Sequence, residues 1–236
     1  MSVIGSFHGS EKKAVERETP ADYPPEFEQD VARLRAYHDV AECVVESLAS
    51  FIRVVEPSSN PPHTVQCELK QMSEVCGKMA QNQLFEDSAL LPIISTTSDV
   101  TTNVARKENA TNQEIYDRVY KPLKNWVDED YPRVGRELKK CFELHADMVS
   151  ATADAQKKVT PAKTAKADKL KEQHERQFKI CQKELELMKM VHKHQQTCLK
   201  LLVDLQFAFH SFCEKELEQA CTIMAKAYGK LSKEEV

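Results

Sequence analysis

Glycine is nearly absent from the long central part of this chain. Between Gly9 and Gly229 only Gly77 and Gly135 occur, so the chain has few positions that readily allow a tight turn. Such a chain folds most simply into a small number of long helices. A lysine-rich segment, residues 157–171, lies within this stretch, and its proline marks a turn. The pattern therefore predicts an all-α fold in which a basic hinge joins two long helices.

Apolar residues recur every three or four positions along most of the chain, which is typical of helices with one buried face. The first such face runs from Phe27 to Val55, after a distinct lead-in formed by residues 1–26. A proline-rich interruption follows at residues 56–62. The pattern resumes at Val65, as a kinked continuation of the first helix would explain.

The middle of the chain carries a conflicting local signal. Residues 90–104 are rich in isoleucine, threonine and valine, which locally favours a strand. We nevertheless predict a helix, because no partner strand is evident and the apolar face continues as far as Trp126. Pro92, Pro122 and Pro132 are each expected to bend this helix, since proline lacks an amide donor and crowds the preceding turn.

The last helix is predicted to begin near Thr164 and to end near Tyr228, with Gly229 as its C-terminal stop. The second and third helices would each contain about 60–70 residues and reach roughly 100 Å. Three such helices would form only a thin core, so part of their apolar surface would remain exposed. Dimerisation would bury that surface. The predicted buried stripe of the last helix comprises Ile180, Leu187, Val191, Cys198, Leu202, Leu205, Phe209, Phe212, Ala220, Met224 and Ala227.

The bulk composition excludes several classes of protein. The formal net charge is −4, so a globally basic nucleic-acid-binding protein is not expected, and any affinity for anions must be local. No apolar run approaches the roughly 20 residues that span a bilayer, and the start of the chain lacks the features of a secretory signal. The eight cysteines include no CxxC pair, which favours reduced thiols in the cytosol over a disulfide framework.

The motifs of common enzyme classes are absent from the sequence. No histidine has a glutamate three residues before it, and the zinc-protease, phosphate-loop, nucleophile-elbow and dinucleotide-binding patterns do not occur. His192 and His194 lie two apart on a predicted helix, so they point to different faces. The residues therefore predict no catalysis, no metal site and no cofactor.

The lysine-rich segment is the strongest positive signal. Six cations lie within it and only Asp168 opposes them; they are Lys157, Lys158, Lys163, Lys166, Lys169 and Lys171. Such a segment either keeps the end of a helical rod solvated or binds an anionic membrane surface, where each lysine gains about 1 kcal/mol. A second basic group on the preceding helix comprises Arg133, Arg136, Lys139 and Lys140, and nearby glutamates partly balance it.

The lead-in has a small apolar face formed by Val3, Ile4 and Phe7. Its basic residues are matched by acidic ones, and it contains two glycines. The segment is compatible with an interfacial helix that folds on a bilayer, but these features favour a disordered tail.

Several stretches together resemble the BAR domain, specifically the endophilin-type N-BAR group. The resemblance extends from about Phe27 to Tyr228 and depends on the order and spacing of its parts. Those parts are residues 27–61 with their proline-containing exit, the Tyr-Lys-Pro-Leu-Lys-Asn-Trp segment at 120–126, the Glu-Leu-Lys-Lys stretch at 137–140, residues 202–210, and the start Met1-Ser2-Val3.

This resemblance implies a non-catalytic, crescent-shaped homodimer of kinked antiparallel helices that senses or shapes the curvature of anionic membranes during endocytosis and vesicle trafficking. Residues 27–228 would form the BAR domain, followed by a short tail at 229–236. Lys139 and Lys140 would face the bilayer, residues 157–171 would form the tip loop, and the protein would be cytoplasmic and peripheral on membranes. The dimer is predicted to depend on Leu202, Leu205, Phe209 and Phe212.

Two departures from the family pattern leave a second function open. Residues 141–156 contain no lysine or arginine, although this stretch is usually strongly basic in the family. The chain also contains no SH3 domain, so it would not recruit proline-rich partners by that route. The alternative is a helical scaffold that binds protein partners, including another BAR protein as a heterodimer, with little affinity for lipid.

Overall fold

A computed structural model describes residues 23–52, 68–82 and 90–234, and most of these residues are helical. The helices are α1 (Pro25–Phe51), α2 (Glu68–Ala80), α3 (Leu91–Ile115), α4 (Lys121–Asn125), α5 (Tyr131–Lys157) and α6 (Pro161–Glu234). No strand occurs in this part of the chain, which confirms the all-α prediction. The β-branched stretch at 90–104 is helical, because its side chains pack within a helical layer and this packing overrides local propensity.

Two π-helical segments, Tyr116–Tyr120 and Trp126–Asp130, precede two of the three central prolines. The Lys121 amide donates to the Tyr116 carbonyl oxygen, and the Tyr131 amide donates to the Trp126 carbonyl oxygen. Each of these bonds reaches back five residues, immediately before Pro122 or Pro132. The wider turn is therefore the local response to a proline that lacks an amide donor.

Pro92 does not interrupt a helix, so the bend expected there is wrong. It lies in the first turn of α3, where the amide groups have no partner within the helix and a proline costs little.

The chain divides into two compact units. The first contains Met1–Val45 and Leu123–Gln195, and the second contains Glu46–Pro122 and Gln196–Val236. In the first unit, α1, α5 and the beginning of α6 pack around one core, with α5 and α6 antiparallel. Its fully buried side chains include Val31, Leu34, Val134, Cys141 and Cys181.

The buried face of α6 in the first unit differs from the predicted stripe. Ile180 and Leu187 are 43% and 46% exposed, whereas Cys181, Leu185 and Met188 are buried. This part of α6 carries two apolar faces, and the choice between them depends on how α1 and α5 pack against it. The sequence pattern of α6 alone does not contain that information.

In the second unit, α2 packs against α3. The kink through which the first helix was expected to continue falls within residues 53–67, which lie outside the described residues. The Ser73 hydroxyl is hydrogen-bonded to the Thr102 hydroxyl, and the Ser98 hydroxyl donates to the Ser73 carbonyl oxygen at 3.2 Å. A methyl group at Gly77 would lie 3.3 Å from Ser98 Oγ. Small residues therefore bring the two helices close together.

Helix α6 begins earlier and ends later than the sequence indicates. It starts at Pro161 rather than near Thr164, and it continues through Gly229 to Glu234, so Gly229 is not the stop. Within the described ranges, no helix is long and apolar enough to span a membrane. The apolar lead-in residues Val3, Ile4 and Phe7 lie outside those ranges.

Candidate membrane-binding and dimerisation sites

The lysine-rich segment forms a tight turn and the beginning of a helix rather than a loop. Only Lys158, Val159 and Thr160 separate α5 from α6. Lys158 is extended, with φ −146° and ψ 97°. Lys157 is the last residue of α5, and the remaining four lysines lie on the first turns of α6. The helix thus fixes the spacing of four of the six charges.

Several hydrogen bonds hold this turn. The Lys163 amide donates to Thr160 Oγ1 at 3.4 Å, which caps the first turn of α6. The Thr164 amide donates to the Thr160 carbonyl oxygen at 3.0 Å. Lys163 Nζ donates to the Asp154 carbonyl oxygen at 3.3 Å and thereby joins the two helix ends. Lys163 is consequently half-buried and committed to the turn.

The other five lysines of the segment are exposed; they are Lys157, Lys158, Lys166, Lys169 and Lys171. Within the described residues, none of them forms an ion pair. Their charges are therefore available to an external anion. This turn carries the densest group of uncompensated positive charge among the predicted site residues.

The second basic group is partly neutralised. Arg133 pairs with Glu184 of α6 at 2.9 Å and with Asp130 at 3.7 Å. The hydrogen bond to Glu184 is the main reason why the pKa of Arg133 is raised. Lys139 lies 4.0 Å from Glu143. Arg136 and Lys140 are exposed, so the group offers fewer free charges than its composition indicates.

The four residues predicted to form the dimer interface are half-buried within their own chain. Lys107 Nζ of α3 lies 6.0 Å from the centre of the Phe212 ring. Leu202, Leu205 and Phe209 lie on the same side of α6 as the buried residues Cys198 and Ala220. Part of this stripe therefore already packs inside the second unit.

A second apolar stripe, on roughly the opposite side of α6, was missed by the sequence reasoning. Val203 is 66% exposed and Phe207 is 73% exposed, and Leu199 precedes them at the same spacing of four residues. Large apolar side chains with this exposure and spacing form a continuous face that is not covered by its own chain. The spacing of 199, 203 and 207 was visible in the sequence, but a single stripe had been assigned to this helix.

The first unit also contains a buried polar cluster that no sequence pattern indicated. The Tyr23 hydroxyl lies 3.1 Å from His174 Nε2 and donates to the Cys141 carbonyl oxygen at 3.3 Å. The rings of His145 and His174 lie 5.1 Å apart. Burial lowers the pKa of His174, with a smaller contribution from His145.

The Cys181 thiol donates to the Glu137 carbonyl oxygen at 3.3 Å, and Cys141 Sγ lies 3.5 Å from the Tyr23 hydroxyl. The neighbouring thiols also influence each other: Cys181 lowers the pKa of Cys141 to about 7, and Cys141, together with burial, raises the pKa of Cys181. Both cysteines are fully buried, so neither thiol is presented to a substrate. Among the described residues, no group of three potential ligands could hold a metal ion.

Comparison with known proteins identifies a family. Residues 10–226 match the family model described as the BAR domain. No curated protein sequence matches the chain significantly.

Proposed function

The chain belongs to the BAR domain family, and we propose that it acts as a homodimer that binds anionic phospholipid membranes. BAR domains are non-catalytic modules that dimerise and bind membranes, where they sense or shape curvature or act as scaffolds. The finer proposal concerns electrostatic binding through the turn between α5 and α6. We also propose membership of the endophilin-type N-BAR group and a peripheral, cytoplasmic location in membrane trafficking.

The five exposed, unpaired lysines around this turn carry the proposal. Each lysine near an anionic leaflet contributes about 1 kcal/mol, and salt screens this attraction. The overall charge of the chain is −4, so the attraction must be local. In a homodimer two such turns engage one surface, and the second binding event benefits from a high effective concentration.

Sedimentation with vesicles tests this proposal. Replacing Lys157, Lys158, Lys166, Lys169 and Lys171 with glutamate should abolish sedimentation with vesicles that contain acidic lipid. Lys163 is kept because it holds the turn. The matched control replaces five exposed lysines elsewhere, Lys70, Lys78, Lys179, Lys183 and Lys215, and changes the net charge equally. Equal losses in the two variants, or binding that ignores lipid charge, would contradict a local site.

Dimerisation is proposed to involve Leu202, Leu205, Phe209 and Phe212 together with the exposed residues Val203 and Phe207. The half-burial of the first four and the exposure of the last two support this arrangement. Val203 and Phe207 lie on a different side of α6 from the other four residues, so a second copy must contact the helix on both sides to cover this apolar surface.

A specific observation favours the scaffold alternative. Residues 141–156 contain no lysine or arginine, and Arg133 and Lys139 are paired with glutamates. A protein that dimerises, alone or with another BAR protein, but does not sediment with acidic vesicles at low ionic strength would fit this function. Analytical ultracentrifugation of the pure chain distinguishes self-pairing from a need for a different partner.

A further inference from the structure

The turn between α5 and α6 contains a hydroxyl group in a distinctive sequence context. The chain has two Thr-Pro pairs and no Ser-Pro pair. Thr160 is followed by Pro161 and, at the third position, by Lys163, whereas Thr19 is followed by Pro20 and Asp22. Proline-directed serine/threonine kinases accept a threonine that precedes proline, and many of them favour a basic residue at the third position. We propose that Thr160 is a phosphorylation site for such a kinase and that its phosphate switches off the adjacent lysines.

Thr160 lies where a kinase can reach it. Residues 158–160 are outside the helices; Thr160 itself is half-buried, and its neighbours Val159 and Pro161 are exposed. Thr160 Oγ1 accepts one long hydrogen bond, 3.4 Å from the Lys163 amide. A kinase that binds Pro161 and Lys163 must open only the first turn of α6, and terminal turns open more easily than helix interiors.

The transfer itself is a standard phosphoryl transfer. Thr160 Oγ1 attacks the γ-phosphorus of ATP, a new bond forms between that oxygen and phosphorus, and the bond to the β-phosphate oxygen breaks. The hydroxyl proton leaves to the catalytic base of the kinase, and ADP departs. The other chemical participant is ATP, which the kinase supplies.

The product places a dianion among cations. A phosphate adds about −1.5 to −2 charges, and residues 157–171 carry six lysines against one aspartate. The net charge of the segment would fall from +5 to about +3. Lys157, Lys158 and the α6 amide groups are the nearest candidates to pair with the phosphate. The consequence for membranes depends on the proposed function, whereas the phosphorylation itself does not.

Phosphorylation of the full chain by a proline-directed kinase tests the acceptor. Mass spectrometry should place stoichiometric phosphate on Thr160, and Pro161→Ala should strongly reduce it. Thr164 is the matched control, because it is exposed, lies one helical turn away and has no proline after it. Absence of phosphate from Thr160, or equal labelling of Thr164, would overturn the assignment.

Vesicle sedimentation then tests the switch. The phosphorylated chain should bind acidic vesicles roughly tenfold or more weakly at low ionic strength. Thr160→Ala loses the cap hydrogen bond, so its own untreated sample is the reference, and it should bind equally before and after the same kinase treatment. Unchanged binding by the phosphorylated chain would overturn the switch.

A separate readout does not need vesicles. Nearby lysines should lower the second pKa of the phosphate below its ordinary value of about 6, as measured by ³¹P NMR. An unshifted value would overturn the pairing with the lysines. If the unmodified chain does not bind vesicles, the proposed function fails, and this titration still decides whether the phosphate is paired.

Discussion

At the scale of single residues, Tyr23 connects three helices. Its ring lies 5.0 Å from that of Phe27 on α1 and 5.6 Å from those of Phe142 on α5 and Phe178 on α6. The sequence placed residue 23 in the lead-in, because the apolar periodicity begins only at Phe27. The contacts of Tyr23 with Phe142 and Phe178 join residues more than one hundred positions apart. Apolar periodicity indicates only which residues share a face of the same helix.

The Tyr23 hydroxyl should contribute measurably to stability. Tyr23→Phe keeps the ring but removes the bonds to His174 and to the Cys141 carbonyl oxygen. We expect a loss of about 1–2 kcal/mol in the free energy of unfolding. Urea unfolding followed by the fluorescence of Trp126, which is the only tryptophan and is buried, measures it. Tyr37→Phe is the control: Tyr37 is partly exposed and stacks on His192, so this change should cost little.

Acid should weaken the first unit through His174. The pKa of His174 is lowered by burial, so the unfolded chain takes up a proton at a higher pH than the folded chain does. The free energy of unfolding is therefore unaffected above about pH 6.5 and falls as the pH is lowered from there toward the folded pKa. The titratable groups around His174 are His145 from α5, Tyr23 just before α1, and Glu175 from α6 itself, which opposes the shift.

Urea unfolding at pH 7.5 and at pH 5.5 checks this dependence. His174→Gln should lose less stability between the two values than the unmodified protein does. His210→Gln, a change at an exposed position of the second unit, should retain the original dependence. Identical pH profiles for His174→Gln and the unmodified protein would show that another group titrates.

At the scale of helices, the sequence predicts which regions are helical, but it does not predict how those helices are interrupted. Glycine scarcity and apolar periodicity predicted long helices, and the stretch at 90–104 is helical despite its composition. The prolines were expected to bend the middle helix. Apolar periodicity does not show that π-helical turns would accommodate Pro122 and Pro132. The packing of α2 against α3 was not predicted, because the apolar pattern alone does not show which helices contact each other.

Gly229→Ala should stabilise the end of α6. Gly229 lies inside the helix, and an added methyl group would meet no atom within 4 Å. Alanine in a helix interior is favoured over glycine by about 0.5–1 kcal/mol. Slower amide hydrogen exchange around residues 225–232 would confirm the gain. Had Gly229 ended the helix in a left-handed conformation, alanine would instead destabilise it.

Gly77→Ala in α2 is the informative contrast. There the added methyl group would lie 3.3 Å from Ser98 Oγ, so the helical gain is offset by a displacement between α2 and α3. We expect Gly77→Ala to increase stability less than Gly229→Ala does, or to decrease it. The same substitution thus distinguishes an open helix surface from a close helix contact.

At the scale of the whole molecule, the family was predictable because it depends on the order of many weak segments. An error in any single segment therefore does not change the family assignment. The match over residues 10–226 agrees with that assignment. The site was less predictable. The sequence placed six lysines together, but it did not show that Lys163 holds the turn or that Arg133 pairs with Glu184. Those facts depend on which helix faces which.

Self-association is the prediction that belongs to this scale. Val203 and Phe207 are the most exposed large apolar side chains that the second unit presents on one face of α6 at a spacing of four residues. If a second copy covers them, Phe207→Asp removes a buried aromatic side chain and places a carboxylate in the interface. We expect dimer dissociation to increase by about 100-fold or more, as measured by sedimentation equilibrium.

Two comparisons make this result specific. Met190→Asp introduces the same charge at a residue of the first unit that is as exposed as Val203, at 66%, and it should leave the dimer intact. Phe209→Ala should lower both dimer affinity and the stability of the folded chain, since Phe209 is half-buried before any partner arrives. Phe207→Asp should affect affinity alone, because its side chain has little contact with its own chain. A dimer that tolerates Phe207→Asp but dissociates with Met190→Asp would place the interface on the first unit and would show that the second apolar face of α6, at Ile180 and Leu187, is the one that a partner covers.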